Sequence, residues 1–342
     1  MSSDKLLYPF LSWIVIMEVL DSKFEDSHDL CFLIHDIMVQ LLHSAEKQKA
    51  FNQTFDLTDV EAKSLESTEG HIIEWLEDNK KYKESSLVIR STVLPALLSD
   101  MMHCIYETLQ ASKKGKLTIA YMLIRKPLQE SLFVLESMAL DRKKFIEDFT
   151  NEQKKLSPSS TGGLDGHISR IEKVLKKLDF PAVESFDASY IAQLRYDKSI
   201  EDSFDGVCNK AMHLFTSRKT LKTESRNINF IFARGEQYPS LWAFLYSRLP
   251  YLLYYIYQLA EHICAELAPT HPSYLKQMNR WIAAKVLVSY PSVEERYRHE
   301  SLDNLFASLT SWLESDCIAN GFSNLDAINF EELVETGIYN LR

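Results

Sequence analysis

The sequence predicts an all-α fold, a multi-helix bundle with long central antiparallel helices. Three observations lead there. Apolar residues recur at helical spacing over long stretches, as in Leu30, Leu33, Ile34, Ile37, Met38, Leu41 and Leu42. Glycine and proline are scarce, nine and ten in 342 residues, too few for the turns an all-β chain requires. Leucine, glutamate, lysine and alanine are abundant, as helices prefer.

The elements follow in order. The start, "MSSDKLLYPFLSWIVIMEVL", has the apolarity of a signal peptide. Asp4, Pro9 and Glu18 interrupt it and no small-x-small cleavage site follows, so a docked N-terminal helix or extended arm is expected. Residues 28–50 read as an amphipathic helix, and the polar stretch Asn52 to Gly70 as loop with short helical turns. Residues 84–111 and 117–149 read as two long helices joined by "SKKGK", where Gly115 suits a chain reversal. "NEQKKLSPSSTGGLDG", residues 151–166, is the clearest loop and the expected site of flexibility and proteolytic nicking. Its Gly162-Gly163 pair lacks the Gly-Lys-Ser/Thr of a phosphate loop. Beyond it come a basic amphipathic helix from His167 to Leu178, short helices through Phe215, an aromatic helix near 240–268, and two or three further helices. This organisation suggests an N-terminal helical region (1–83), a central bundle (84–268) and an acidic C-terminal region (269–342).

Residues 120–141, "AYMLIRKPLQESLFVLESMALD", and residues 239–260, "PSLWAFLYSRLPYLLYYIYQLA", have the length and apolarity of membrane spans. Arg248, Pro250 and several tyrosines make the second a buried aromatic core helix instead. In the first, a helical wheel resolves the charges into two stripes. One holds Arg125, Gln129, Glu136, Lys143 and Glu147; the other Lys126, Glu130, Ser137, Asp141, Lys144 and Asp148. Met122, Phe133 and Leu140 run between them, and Leu123, Ile124, Leu128, Leu132, Val134, Leu135 and Met138 make the core face. A partner segment is therefore expected over the seam and at least one stripe. Pro127 cannot donate to the carbonyl of Leu123, which predicts a kink beside Arg125.

A formal net charge of −10 argues against broad nucleic-acid binding. Cys31, Cys104, Cys208, Cys264 and Cys317 are widely spaced, with no Cys-x-x-Cys, so free thiols in a reducing, cytoplasmic compartment fit best. Asp100, His103 and Glu107, with Glu25 and His28, have carboxylate and histidine spacings known from metal sites, and His35-Asp36 forms an HD dyad. Their polar neighbours place the first set on a solvent face, and the dyad lacks its distant partners. No metal or cofactor is expected.

Within this acidic chain residues 205–235 are basic. Phe204, Val207, Cys208, Ala211, Met212 and Phe215 form an apolar stripe with His213 opposite, and Lys210, Arg218, Lys219, Lys222, Arg226 and Arg234 supply charge for phosphate or RNA. The runs "LIRKPLQESLFVLESMALDRKKF", "NKAMHLFTSR" and "NINFIF" resemble uncharacterised bacterial helical proteins grouped with the HEPN superfamily, over about residues 87–265. The resemblance implies a HEPN-like bundle, a homodimer, a role in bacterial antiviral defence and RNA as a partner. It also implies a ribonuclease site built from Arg125, Glu130 and His213. The chain departs from the family's Arg-x4-6-His motif, since none of its ten histidines has an arginine five to seven positions before it. The expectation is thus an intracellular helical protein that binds RNA, a nucleotide-like ligand or a protein partner without chemistry of its own. The alternative is a metal-independent ribonuclease in which His213 meets Arg125 through the fold.

Overall fold

The computed structural model describes residues 19–200, 203–219, 221–229 and 237–342. The N-terminal arm expected over residues 1–18, and Arg234, lie outside them. The described chain is an all-α bundle with no β-strand, its only bridge pairing Ile328 with Leu341.

Helix α1, Glu25–Lys47, carries Glu25 and Asp26 in its first turn, where the helix dipole favours negative charge. Its predicted apolar face is buried, Leu42 only partly, and packs on later helices. Two short helices, α2 (Asp59–Glu66) and α3 (Ile72–Asp78), follow in the polar stretch. The first is fixed by a capping box in which Thr58 and Glu61 bond each other's backbone. Helices α4 (Tyr82–Lys113) and α5 (Leu117–Lys126) form the predicted hairpin. Gly115 turns it with φ +68°, and a Cβ there would lie 2.6 Å from the Val19 side chain.

The predicted helix over 117–149 is three elements. After α5 come a π-helical turn, Pro127–Ser131, and then α6, Leu132–Leu140. Asp141, extended at φ −154°, ends α6 and caps the next helix through Lys144 N at 2.9 Å, so α7 spans Arg142–Asn151. The 151–166 stretch is built of two short 3-10 turns, Gln153–Leu156 and Pro158–Thr161, held by hydroxyl bonds from Ser160 and Thr161. Helices α8 (Leu164–Leu175), α9 (Ala188–Tyr196) and α10 (Phe204–Met212) complete one side.

The aromatic segment is α11, Tyr238–Cys264, with Trp242–Leu249 and Tyr251–Glu261 buried between α1 and α6. Helices α12 (Pro272–Ser289), α13 (Glu300–Ala319) and α14 (Phe330–Thr336) close the bundle, tied by Arg280 to Asp316 at 2.7 Å. Buried apolar residues form one core cluster from Phe24 to Tyr339. Among the described residues only α4 is long and apolar enough to cross a membrane, and its Leu94, Leu98, Met101 and Ile105 lie in this core.

Candidate functional site

The site grows from Pro127. Lacking an N–H, this residue tips the following turn into π geometry, where Leu132 N–H bonds to Pro127 O five residues back. In an α-helix that N–H would serve Leu128 O. The freed carbonyl is instead taken by Arg195 Nε of α9 at 2.6 Å, and Gln129 O accepts from the Tyr196 hydroxyl at 2.9 Å. Arg195 is wholly buried. Its guanidinium also donates to Glu136 Oε1 at 2.5 Å and to the Tyr196 hydroxyl at 2.6 Å, while the Tyr255 hydroxyl donates to the same Glu136 oxygen at 3.1 Å. Arg170 of α8 stands 3.6 Å from Glu136 Oε2 and lies over the Phe133 ring. Burial disfavours the charge on Arg195, but the Glu136 carboxylate together with the Tyr196 and Tyr255 hydroxyls outweighs it and raises the guanidinium's pKa; on Arg170 burial wins, and its pKa falls.

Above this cluster opens a cleft of about 920 Å³ between the π turn, the two 3-10 turns and the end of α9. His167, in the first turns of α8, lines it and stacks on Tyr196 with ring centroids 3.7 Å apart. The Thr161 hydroxyl donates to Pro158 O, so His167 Nε2 donates to Thr161 Oγ1 at 3.0 Å. That leaves Nδ1 as an acceptor, and it is buried without a partner. Burial, then the positive field of Arg195, Arg170 and Lys198, lowers the His167 pKa to about 4. The imidazole is neutral at neutral pH and a poor general base there. The N-terminus of α8 faces the cleft at Gly163 and Leu164, and Gly163, at φ +110°, offers no side-chain cap.

Arg125 lines the cleft, half-buried, and makes a single hydrogen bond, to Gln129 Oε1 at 3.1 Å. Gln129 is held in turn by Arg195 O at 2.8 Å and Asp205 Oδ1 at 3.2 Å. Lys126 is spent on Asp100 at 2.7 Å. The first stripe thus runs into the interior against α9 and α10 at Arg125, Gln129 and Glu136, whereas its Lys143 and Glu147, beyond the break at Asp141, are exposed, as is Met122 of the seam. The other stripe stays largely outside, save for Ser137 and Asp148.

Of the residues singled out in the sequence, Arg125 and exposed Glu130 line the cleft together. His213 is not among its lining residues; it is exposed just past α10, its carbonyl accepting from Asn229 Nδ2 at 2.8 Å. Arg218 does not line the cleft either, though it stands 3.9 Å from Asp205, which does. Lys210 is half-buried, and Lys219, Lys222 and Arg226 are exposed. Met212 and Phe215 of the expected apolar stripe are exposed, because α10 ends at Met212. His28 and His35 are buried on α1, bonded to Tyr246 and Asp36, each at 2.7 Å. Among the described residues no three His, Cys, Asp or Glu side chains gather to hold a metal ion.

No family model, curated protein or solved structure matches the chain. What the cleft binds must follow from its own groups. Those that sequence reasoning missed are His167, Arg195, Tyr196 and Gly163. Arg195 carried a signal: in "YIAQLRYD" it follows Ile191 by four positions and so shares that residue's apolar face. His167 carried none, since its partners come from loop and α9.

Proposed function

We propose that the protein is a helical binding protein whose cleft takes a phosphate-bearing, nucleotide-like ligand. The reading rests on one observation. Arg125, whose Nε alone is engaged, by Gln129, and a buried histidine acceptor without a donor line the same cleft. A phosphate monoester held as its monoanion suits both, its oxygens accepting from Arg125 and its remaining hydroxyl donating to His167 Nδ1. The uncapped α8 N-terminus adds a favourable dipole. Leu97, Val134, Leu156 and Leu164 offer an apolar wall for the body that carries the phosphate. Binding is favoured over catalysis because the histidine in the cleft is kept neutral well below physiological pH.

The test is calorimetric titration with AMP, adenosine and inorganic phosphate. AMP is expected to bind saturably, adenosine more weakly, and Arg125→Ala to lose about tenfold or more in affinity with unchanged melting. AMP binding equally well to R125A, or not at all to wild type, overturns the reading. Incubation with labelled single-stranded RNA tests the ribonuclease alternative. Cleavage that disappears in His213→Ala would replace binding by an enzyme using Arg125, Glu130 and His213.

A further inference from the structure

A second pocket, of about 680 Å³, opens between the end of α3, the first turns of α4 and the length of α7, and shares no lining residue with the cleft. Arg90 of α4 lines it and is only 6% exposed. Its guanidinium gives a single hydrogen bond, from Nη2 to Glu266 Oε2, and its Nε is buried without an acceptor. Glu266 does not serve Arg90 alone, because its other oxygen accepts from Arg142 of α7, which lines the same pocket. One carboxylate thus stands between two guanidinium groups, and a cation that is nine-tenths buried keeps donors unused. Burying such a group is costly unless an anion completes its hydrogen bonds.

The neighbouring groups indicate which anion. Exposed Lys83 and Lys143 also line the pocket, so four cationic side chains face two carboxylates there, Glu77 and Glu147, in a chain whose net charge is −10. Glu77 already accepts from the Ser85 hydroxyl at 3.1 Å. Half-buried Leu87 of α4 and Ile146 of α7 give the pocket apolar sides, with the exposed Tyr82 ring at the first turn of α4. Sides of that kind suit a hydrocarbon body better than a bare inorganic ion, and the planar guanidinium fork matches the planar carboxylate.

We propose that this pocket binds a small organic carboxylate, whose oxygens accept from Arg90 and Arg142 while its hydrocarbon body rests on Leu87 and Ile146. The assay titrates the full chain with octanoate, octanol and inorganic phosphate at about 150 mM salt, where diffuse electrostatic attraction is screened. Binding is followed at the Ile146 methyl resonance, assigned with Ile146→Val, so that occupation of the cleft does not enter the reading. Octanoate alone is expected to move this signal saturably. Arg90→Gln, which leaves Glu266 paired with Arg142, should weaken octanoate about tenfold or more. Lys114→Gln, at an exposed position past the far end of α4, should leave it unchanged. If R90Q does not fold, the comparison of the three compounds on the wild-type chain decides the matter. An Ile146 signal that octanoate leaves stationary, that octanol or phosphate moves at equal concentration, or that responds equally in R90Q overturns the proposal. None of these results bears on AMP binding in the cleft.

Discussion

Replacing Arg195 by methionine tests the internal cluster most directly. Methionine keeps most of the side-chain length but removes three hydrogen bonds, to Leu128 O, Glu136 and the Tyr196 hydroxyl. Glu136 would remain buried with the Tyr255 hydroxyl and an arginine 3.6 Å away, and the Leu128 carbonyl would lose its donor. Breaking one side of a buried ion pair costs about 3–5 kcal/mol, to which the orphaned Leu128 carbonyl adds roughly 1–3. The double variant Glu136→Leu/Arg195→Met strands no charge from this pair and should be more stable than Arg195→Met alone by about 1–3 kcal/mol. Urea unfolding followed by tryptophan fluorescence and far-UV circular dichroism gives both values, provided the two curves coincide. A loss below about 1 kcal/mol for Arg195→Met, or a double variant no better than the single, would refute the account of Arg195 as the keystone of the π turn.

Further outcomes follow from the same contacts. With its pKa at about 4 when folded and about 6.5 when unfolded, His167 has no effect on stability at higher pH. As pH falls through that window the unfolded chain takes the proton first. Stability therefore drops by up to roughly 3 kcal/mol, and His167→Gln should flatten this acid limb in pH-dependent urea melts. Tyr246→Phe removes the hydroxyl that links His28 at 2.7 Å to Ser112 at 2.8 Å, and should cost about 1–3 kcal/mol by the same assay. Gly337→Ala should cost about 1–2 kcal/mol, because the residue caps α14 at φ +68° and a Cβ would fall 2.6 Å from Trp281 Cβ; amide exchange in α14 should quicken accordingly.

Helix positions were legible where one apolar face meets one core, as in α1, the α4–α5 hairpin and α11. The break at Asp141 was not, because helical periodicity continues through it and only the residue's capping bond to Lys144 N reveals the new start. The stretch around Pro127 shows the same limit. A wheel drawn straight through it placed Leu128, Leu132, Leu135 and Met138 in the core, where they are, and its expectation of a covered stripe holds at Arg125, Gln129 and Glu136 but not at exposed Lys143 and Glu147. It missed that Glu136 and Ser137, on different stripes, are both buried. Pairings such as Arg195 with Glu136, 59 positions apart, depend on how α9 crosses α6, which no local pattern encodes. The loop at 151–166 looked like a mere linker for a related reason: its ordering comes from hydroxyl bonds and from the helix it abuts, not from apolar spacing.

The turn from Pro127 to Ser131 holds a spare residue compared with ordinary helical winding. Winding all five residues as ordinary α-helix, with none removed, would rotate α5 against α6 by about 100 degrees, because the π turn absorbs the surplus residue in nearly the same angle. Arg125 would swing off the cleft wall while Glu136 kept its place. That one surplus residue sets the phase between the hairpin and the aromatic interior, and so decides which side chain of α5 looks into the opening.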